Sequence, residues 1–495
     1  MTHVRQLTCM ALASLALGLV PWPLAGQDQI RVPVPLATGP VPVTSESYPL
    51  MADHRMQHPV DLPARGYIED EFFVTGLANV YDWAEDGGIS VRSENAQYTT
   101  RILVRRPADS ARSSGSAWVE LGNNARRYDW GFSWSLSYEH FIESGDTWVG
   151  ITYASAAIDA LGQFDPVRYR SLAFENPDPQ PCGRGGNVST SEDGLRWDML
   201  SQVGALLKSE SGPLGEFRIE RVYAMSHGGE LPTYVAAIHP RMRLEDGGPV
   251  YDGFILHRHN RLGPLHACGA APPQSDPRHV IRDAGVPVIR IVAQTDVAAT
   301  ESLRREDSDA PNDGYRLYEV AGAPHADGAF YRHMPVPEDQ EAVGTEPFLS
   351  YWPFADQCEP EIPMQDFPLM GYVANAAIRN LDAWVREGTP APRAARMEIE
   401  NGQVALDEFG NARGGVRSPY LDVPTATYVT TTGGPGGCRN LGYSEPFDWQ
   451  RLESVYDSFD GYAERVGEAV DRRVRERWLT PDDGRRIRDR IVVPR

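Results

Sequence analysis

A hydroxyl becomes a useful nucleophile only when the backbone pushes it outward and a base stands ready for its proton. The run Arg221-Val222-Tyr223-Ala224-Met225-Ser226-His227-Gly228-Gly229 offers such a hydroxyl at Ser226. A strand-like stretch, Ile219 to Met225, stops at the serine, and a helix-compatible segment, Glu230 to Ile238, comes next. A serine on so tight a strand-to-helix turn needs small residues two positions before and after it. Ala224 and Gly228 meet that need, giving an A-x-S-x-G version of the G-x-S-x-G nucleophile elbow. Small-x-Ser-x-Gly is common by chance, so the weight falls on the partners.

The order nucleophile, acid, histidine is one of three chain orders in which a Ser-His-acid triad occurs. His325 comes after the strand-like run Tyr315 to Val320, where a loop at the sheet's carboxyl edge would deliver an imidazole to Ser226. Most histidines are plain surface residues, but position after a strand and chain order favour a base here. Asp296 comes after Val288 to Ala293, the preceding strand-like run, and would fix the imidazole's tautomer and stabilise its cation. Glu301, Asp307 and Asp309 are rivals that also read as ordinary solvated charge. An oxyanion needs preorganised donors. The His227 amide is expected to be one, and Leu121-Gly122-Asn123-Asn124 supplies the other from Asn123 or Asn124, although Gly-Asn-Asn also makes a good turn. His257-Arg258-His259 has ligand-like spacing on a strand but lacks suitable acids, so no metal is expected. Glu230 reads as a charge in a helix's first turn. Trp130, Trp134 and Tyr138 read equally well as pocket lining and as core.

The elements that would position these groups alternate between strand and helix, the pattern of a parallel sheet covered by helices. Thr99 to Arg105, Ala117 to Leu121, Thr147 to Tyr153 and Val222 to Met225 read as strands. Ser137 to Glu143, Leu195 to Leu207 and Ala374 to Val385 read as helices. Val466, Val470, Val474 and Trp478, four apart, predict a packed helix over Tyr462 to Trp478. Stretches near 154–194 and 331–370 are rich in Pro and either Gly and Asn or acids and aromatics, as lids and binding loops are.

The net charge of −21 argues against a nucleic-acid partner and against an anionic membrane surface. Lys208 is the only lysine, which excludes lysine-dependent chemistry elsewhere. No cofactor is expected. Residues 1–26 read as a cleavable signal peptide: Arg5, an apolar run from Leu7 to Val20 too short to span a bilayer, then small residues ending at Gly26. Residues 27–495 then form one exported domain, secreted or periplasmic, with a C-terminal extension over 400–495. Cys9 would leave with the signal. Cys182, Cys268, Cys358 and Cys438 remain, suggesting two disulfides with three pairings open.

Several segments resemble the alpha/beta hydrolase domain family, whose members are often secreted bacterial proteins. They include Tyr98 to Pro107, Val119-Glu120 leading to Asn123, Phe164 to Tyr169, and Arg316 to Asp327 around the histidine. Trp384 to Pro390, Gly414 to Pro419 and Asp422-Val423-Pro424 extend the likeness, which runs from about Gly66 to the C-terminus. The resemblance implies an α/β-hydrolase fold, mainly parallel, with long insertions forming a lid or cap. It also implies a triad carried onto Ser226, Asp296 and His325. Family members commonly show Gly-x-Ser-Gln-Ser-Gly, and this chain departs from that at Ala224, His227 and Gly228. The expected function is hydrolysis of a small-molecule carboxylic ester or lactone through an acyl-enzyme. Rivals are an inactive binding protein of the same fold, and an amidase or acyltransferase.

Overall fold

The computed structural model describes residues 29–85, 87–182, 187–258, 261–347, 358–360, 364, 365 and 368–490. The signal-peptide segment, His259 and most of 348–367 lie outside the described residues.

The centre is a mixed sheet. Its labelled strands are β1 (Leu36–Thr38), β2 (Tyr67–Trp83), β3 (Ile89–Pro107), β4 (Ser116–Leu121), β5 (Thr147–Ile151), β6 (Arg221–His227), β7 (Gly253–His257), β8 (Val288–Ala293), β9 (Ser308–Ala310) and β10 (Asp313–Val320). They run side by side in the order β9-β10-β8-β7-β6-β4-β5-β3-β2-β1. From β5 to β10 every neighbouring pair is parallel, while β1, β2, β3 and β9 join antiparallel. The sequence accounts for this division. The parallel strands are continuous apolar runs buried on both faces, such as Val-Ile-Arg-Ile-Val-Ala in β8. The first half of β3 is partly exposed, and becomes buried from Thr100 to Arg105 where β5 pairs with it.

The longer helices are α1 (Phe132–Ser144), α2 (Ser155–Phe164), α3 (Arg196–Lys208), α4 (Leu369–Glu387), α5 (Trp449–Tyr456), α6 (Phe459–Arg475) and α7 (Pro481–Asp489). α1 and α4 pack together against the sheet, and α3 packs against β2 and β6. α1 stops at Gly145 and α4 at Gly388, both left-handed (φ 75° and 66°), a conformation that costs a residue with a Cβ. Among the described residues no helix is long and apolar enough to cross a membrane.

The C-terminal helices form a second core with Tyr372, Phe447, Leu452 and Leu479. Val466 and Val470 are buried there as the stripe predicts, but α6 ends at Arg475. Arg477 turns left-handed (φ 66°), and Trp478 leaves the stripe to meet Tyr318 edge-on, ring centroids 5.0 Å apart. The cysteines pair Cys182–Cys268 and Cys358–Cys438.

Candidate active site

Parallel strands deliver the residues after them to one edge of the sheet, where α/β proteins bind their ligands. β4, β6, β8 and β10 all point their carboxyl ends the same way, so the loops carrying Asn123, Ser226, Asp296 and His325 gather there.

Asp296 sits on a short helix, Gln294–Val297, directly after β8, and His325 lies five residues beyond β10. The imidazole Nδ1 lies 2.7 Å from Asp296 Oδ2, with both side chains nearly buried. Nδ1–H donates to the carboxylate, which leaves Nε2 as the basic nitrogen. Arg258, just past β7, holds the other oxygen: its Nε is 3.3 Å from Asp296 Oδ1. The rival acids are engaged elsewhere. Asp307 pairs with Arg396 at 2.6 Å, and Asp309 pairs with Arg316 and Arg393, each at 2.5 Å. Glu301 sits in the turn Ala298–Leu303, exposed.

The serine segment departs from the expectation. β6 does not stop at Met225 but continues through Ser226, which registers with Leu121 and Leu256, and His227, which registers with His257. The ladder reaches one residue further, Gly228 N–H donating to the His257 carbonyl at 2.9 Å. The corner is made by Gly228 and Gly229, both at φ 69°. Two glycines in succession take the left-handed conformation at little cost, so the turn settles on them and Ser226 stays in the strand. The serine is 2% exposed, and its hydroxyl donates to the Gly228 carbonyl at 2.8 Å. Among the described residues no hydrogen bond joins it to His325. The helix beyond the corner is Leu231–Thr233, continued by a wider turn over Tyr234–Ile238.

Successive strand residues face opposite ways, and it is His227 that approaches His325, with ring centroids 5.0 Å apart. Burial, with His325, His257 and Arg258 nearby, pushes His227 well below the usual imidazole range, so it is neutral. Burial likewise lowers His257 to about 3. Asn123 opens a hairpin whose other side is Trp130, and its Nδ2 lies 3.4 Å from His227 Nδ1 and 3.5 Å from the His227 carbonyl. Asn124 turns away, donating to Asp129 Oδ1 at 2.7 Å. Of the two asparagines, only Asn123 has its side chain among the imidazoles.

An aromatic wall closes the group. Phe132 lies 3.9 Å from His227 and 4.4 Å from Phe330, and Trp130 lies 4.0 Å from Phe330 (ring centroids). Trp130 is thus near the site. Trp134 packs with Trp148 under Arg105, and Tyr138 with His333, both as core. Glu230 takes the N-cap position of the helix after the corner and pairs with Arg196 at 3.3 Å. Beneath the loop, Glu120 accepts the Ser133 and Trp134 amides (2.6 and 3.0 Å) and the Trp148 indole (2.8 Å), fixing α1 beside Asn123. Sequence reasoning missed Phe132, Phe330, Arg258 and the Gly228 corner. Only the Gly-Gly pair carried a signal, since consecutive glycines mark the place where a turn is easiest.

A mainly parallel sheet with helices on it, and a histidine–aspartate pair at its carboxyl edge, define the class of α/β hydrolases. This chain belongs to the alpha/beta hydrolase domain family, whose model matches residues 37–489. The match begins nearer the N-terminus than Gly66. No curated protein sequence matches the chain. Among solved structures it is similar to esterases of the fungus Rhizomucor miehei, at 9% identity over 56% of this chain and 81% of theirs, TM-score 0.29. Esterase Est22 matches at 11% identity over 57% and 80%, TM-score 0.30. A putative dienelactone hydrolase from Klebsiella pneumoniae subsp. pneumoniae matches at 14% over 55% and 95%, TM-score 0.27.

Proposed function

We propose that this chain is an exported serine hydrolase that cleaves a small-molecule carboxylic ester or lactone through an acyl-enzyme. The observation that carries the reading is the 2.7 Å His325–Asp296 pair at the carboxyl edge, the same edge at which the serine segment ends. For the reaction, the Ser226–Gly228 segment must reorganise so that Ser226 Oγ leaves the Gly228 carbonyl, comes to the face of the strand that His227 now presents to His325, and turns its proton toward Nε2. As Oγ bonds to the carbonyl carbon, His325 takes that proton and Asp296 stabilises the cation. The His227 amide, with the Asn123 side-chain amide or a donor of Asn124, holds the oxyanion; the Asn123 backbone N–H is already given to the Trp130 carbonyl. The bond to the leaving oxygen breaks, and His325 returns the proton to it. Water then attacks the acyl group, His325 taking its proton, and the acid departs as Oγ regains one. Export is supported by the two disulfides and by the leader-like sequence of residues 1–26.

One observation favours a second reading. The left-handed corner is made by Gly228 and Gly229, which have no side chains, so the turn that follows β6 lacks a hydroxyl. On that reading the chain binds a carbonyl ligand at the same edge without cleaving it. Labelling with a fluorophosphonate, and hydrolysis of short p-nitrophenyl esters, decide between the two. The first reading expects labelling at Ser226 and a loss of at least about 10⁴-fold in kcat for Ser226→Ala. The second expects no labelling of the native chain, and labelling of Gly228→Ser at the new hydroxyl. Amides and alcohol acceptors in the same assay separate ester hydrolysis from amidase and acyltransferase activity.

A further inference from the structure

Away from the sheet edge, α5 and α6 meet in a pocket that neither reading uses. Its cavity is about 120 Å³, with walls from Trp449, Tyr456, Phe459 and Tyr462 and a rim that includes Glu453 and Asp457. Trp449 is 57% exposed, an unusual position for the largest apolar side chain and one that calls for a reason. The rings are not stacked flat on one another. Tyr456 and Tyr462 meet at 66° with centroids 5.2 Å apart, and Phe459 and Tyr462 at 47° and 6.2 Å, so the rings line the cavity at different angles.

The polar groups select the kind of ligand. Glu453 and Asp457 are exposed, and among the described residues neither takes part in an ion pair. Asp457 is held left-handed (φ 60°) at the break between the two helices, which sets its carboxylate at the pocket. Two of the pocket's hydroxyls are engaged: Ser458 accepts the Gly461 amide at 3.0 Å to cap α6, and Tyr456 donates to the Pro424 carbonyl at 2.7 Å. A sugar would ask this pocket for donors as well as acceptors. A cation without N–H groups asks for neither; it needs ring faces and nearby negative charge. Cations already sit on rings in this part of the molecule: Arg451 stands 4.0 Å from the ring centroid of the neighbouring Phe447, and Arg465 stands 5.5 Å from that of Tyr456.

We propose that this pocket binds a quaternary ammonium group, either in a free small molecule or in a lipid headgroup. Calorimetric titration of the full mature chain with choline and with tetramethylammonium tests it. Saturable binding is expected, at least tenfold weaker for the uncharged isostere 3,3-dimethyl-1-butanol, and at least tenfold weaker in Trp449→Ala and in the double variant Glu453→Gln/Asp457→Asn. Ester hydrolysis should be unchanged in both variants, which lie outside the candidate active site and so separate this proposal from the preceding one. Co-sedimentation with phosphatidylcholine vesicles but not phosphatidylglycerol vesicles would identify a lipid source; choline binding without co-sedimentation would identify a free ligand. The proposal is overturned if choline does not bind, if the isostere or glucose binds as well, or if the Trp449 variant binds unchanged.

Discussion

His325 and Asp296 come from loops after neighbouring parallel strands, β10 and β8, yet their side chains meet at 2.7 Å while Arg258 grips the far carboxylate oxygen. The aspartate therefore fixes both the tautomer and the direction of the imidazole. Replacing it with asparagine preserves the shape but removes the charge that favours a protonated ring. Asp296→Asn should lower kcat on p-nitrophenyl esters by about 10²–10⁴-fold with the thermal transition nearly unchanged. An unaltered rate would remove Asp296 from the mechanism.

The aromatic wall makes a prediction about substrate size. Phe330 touches Trp130, Phe132 and His227, so its ring closes the space beside the imidazoles. Phe330→Ala should raise KM for aryl esters by about tenfold, and affect acetyl esters less, because the lost contact is apolar area. A series of acyl lengths measured in both proteins checks this.

Asp146 gives a pH dependence of stability. It begins the turn into β5, accepting from Ser114 Oγ at 2.5 Å and from the Trp118 indole at 3.1 Å, and burial pushes its carboxyl up to about 7. A carboxyl with a raised pKa keeps its proton in the native state after the unfolded chain has lost it. The native state then binds more protons, and stability falls as pH rises. The contribution is complete below the ordinary value of 3.8 and is lost as pH climbs to about 7. Between pH 5 and 8 the native protein should lose about 3 kcal/mol that Asp146→Asn does not. Denaturant unfolding at several pH values would reveal the difference in slope.

The bridges close long loops, with sequence separations of 86 and 80 residues. Each should contribute about 2–5 kcal/mol by restricting the unfolded chain. Thermal unfolding with and without reductant should show a clear downward shift. Denatured and unreduced, a chain that begins at Gln27 should show no reactive thiol.

Most of the sheet is legible in the sequence because buried parallel strands leave short apolar runs, as in Val288 to Ala293. That His325 and Asp296 come to the same edge is legible because each follows such a run within a few residues. The long antiparallel strand β2 is harder to see: Tyr67 to Trp83 mixes acids and apolar residues, and its pairing with β3 supplies what propensity does not. The aromatic wall is invisible in the sequence, since Phe132 and Phe330 lie far apart along the chain.

By itself the sequence determined the class: the alternation of strands and helices, a histidine and an aspartate each following a buried strand, and four cysteines suited to two bridges. Which cysteines pair was left to the tertiary structure, because only folding brings residues some eighty positions apart together. It also decided where β6 turns. Motif spacing marks a serine flanked by small residues, but the backbone bends where left-handed torsion is cheapest, at Gly228 and Gly229. That choice turns His227 toward His325 and leaves the Ser226 hydroxyl on the Gly228 carbonyl.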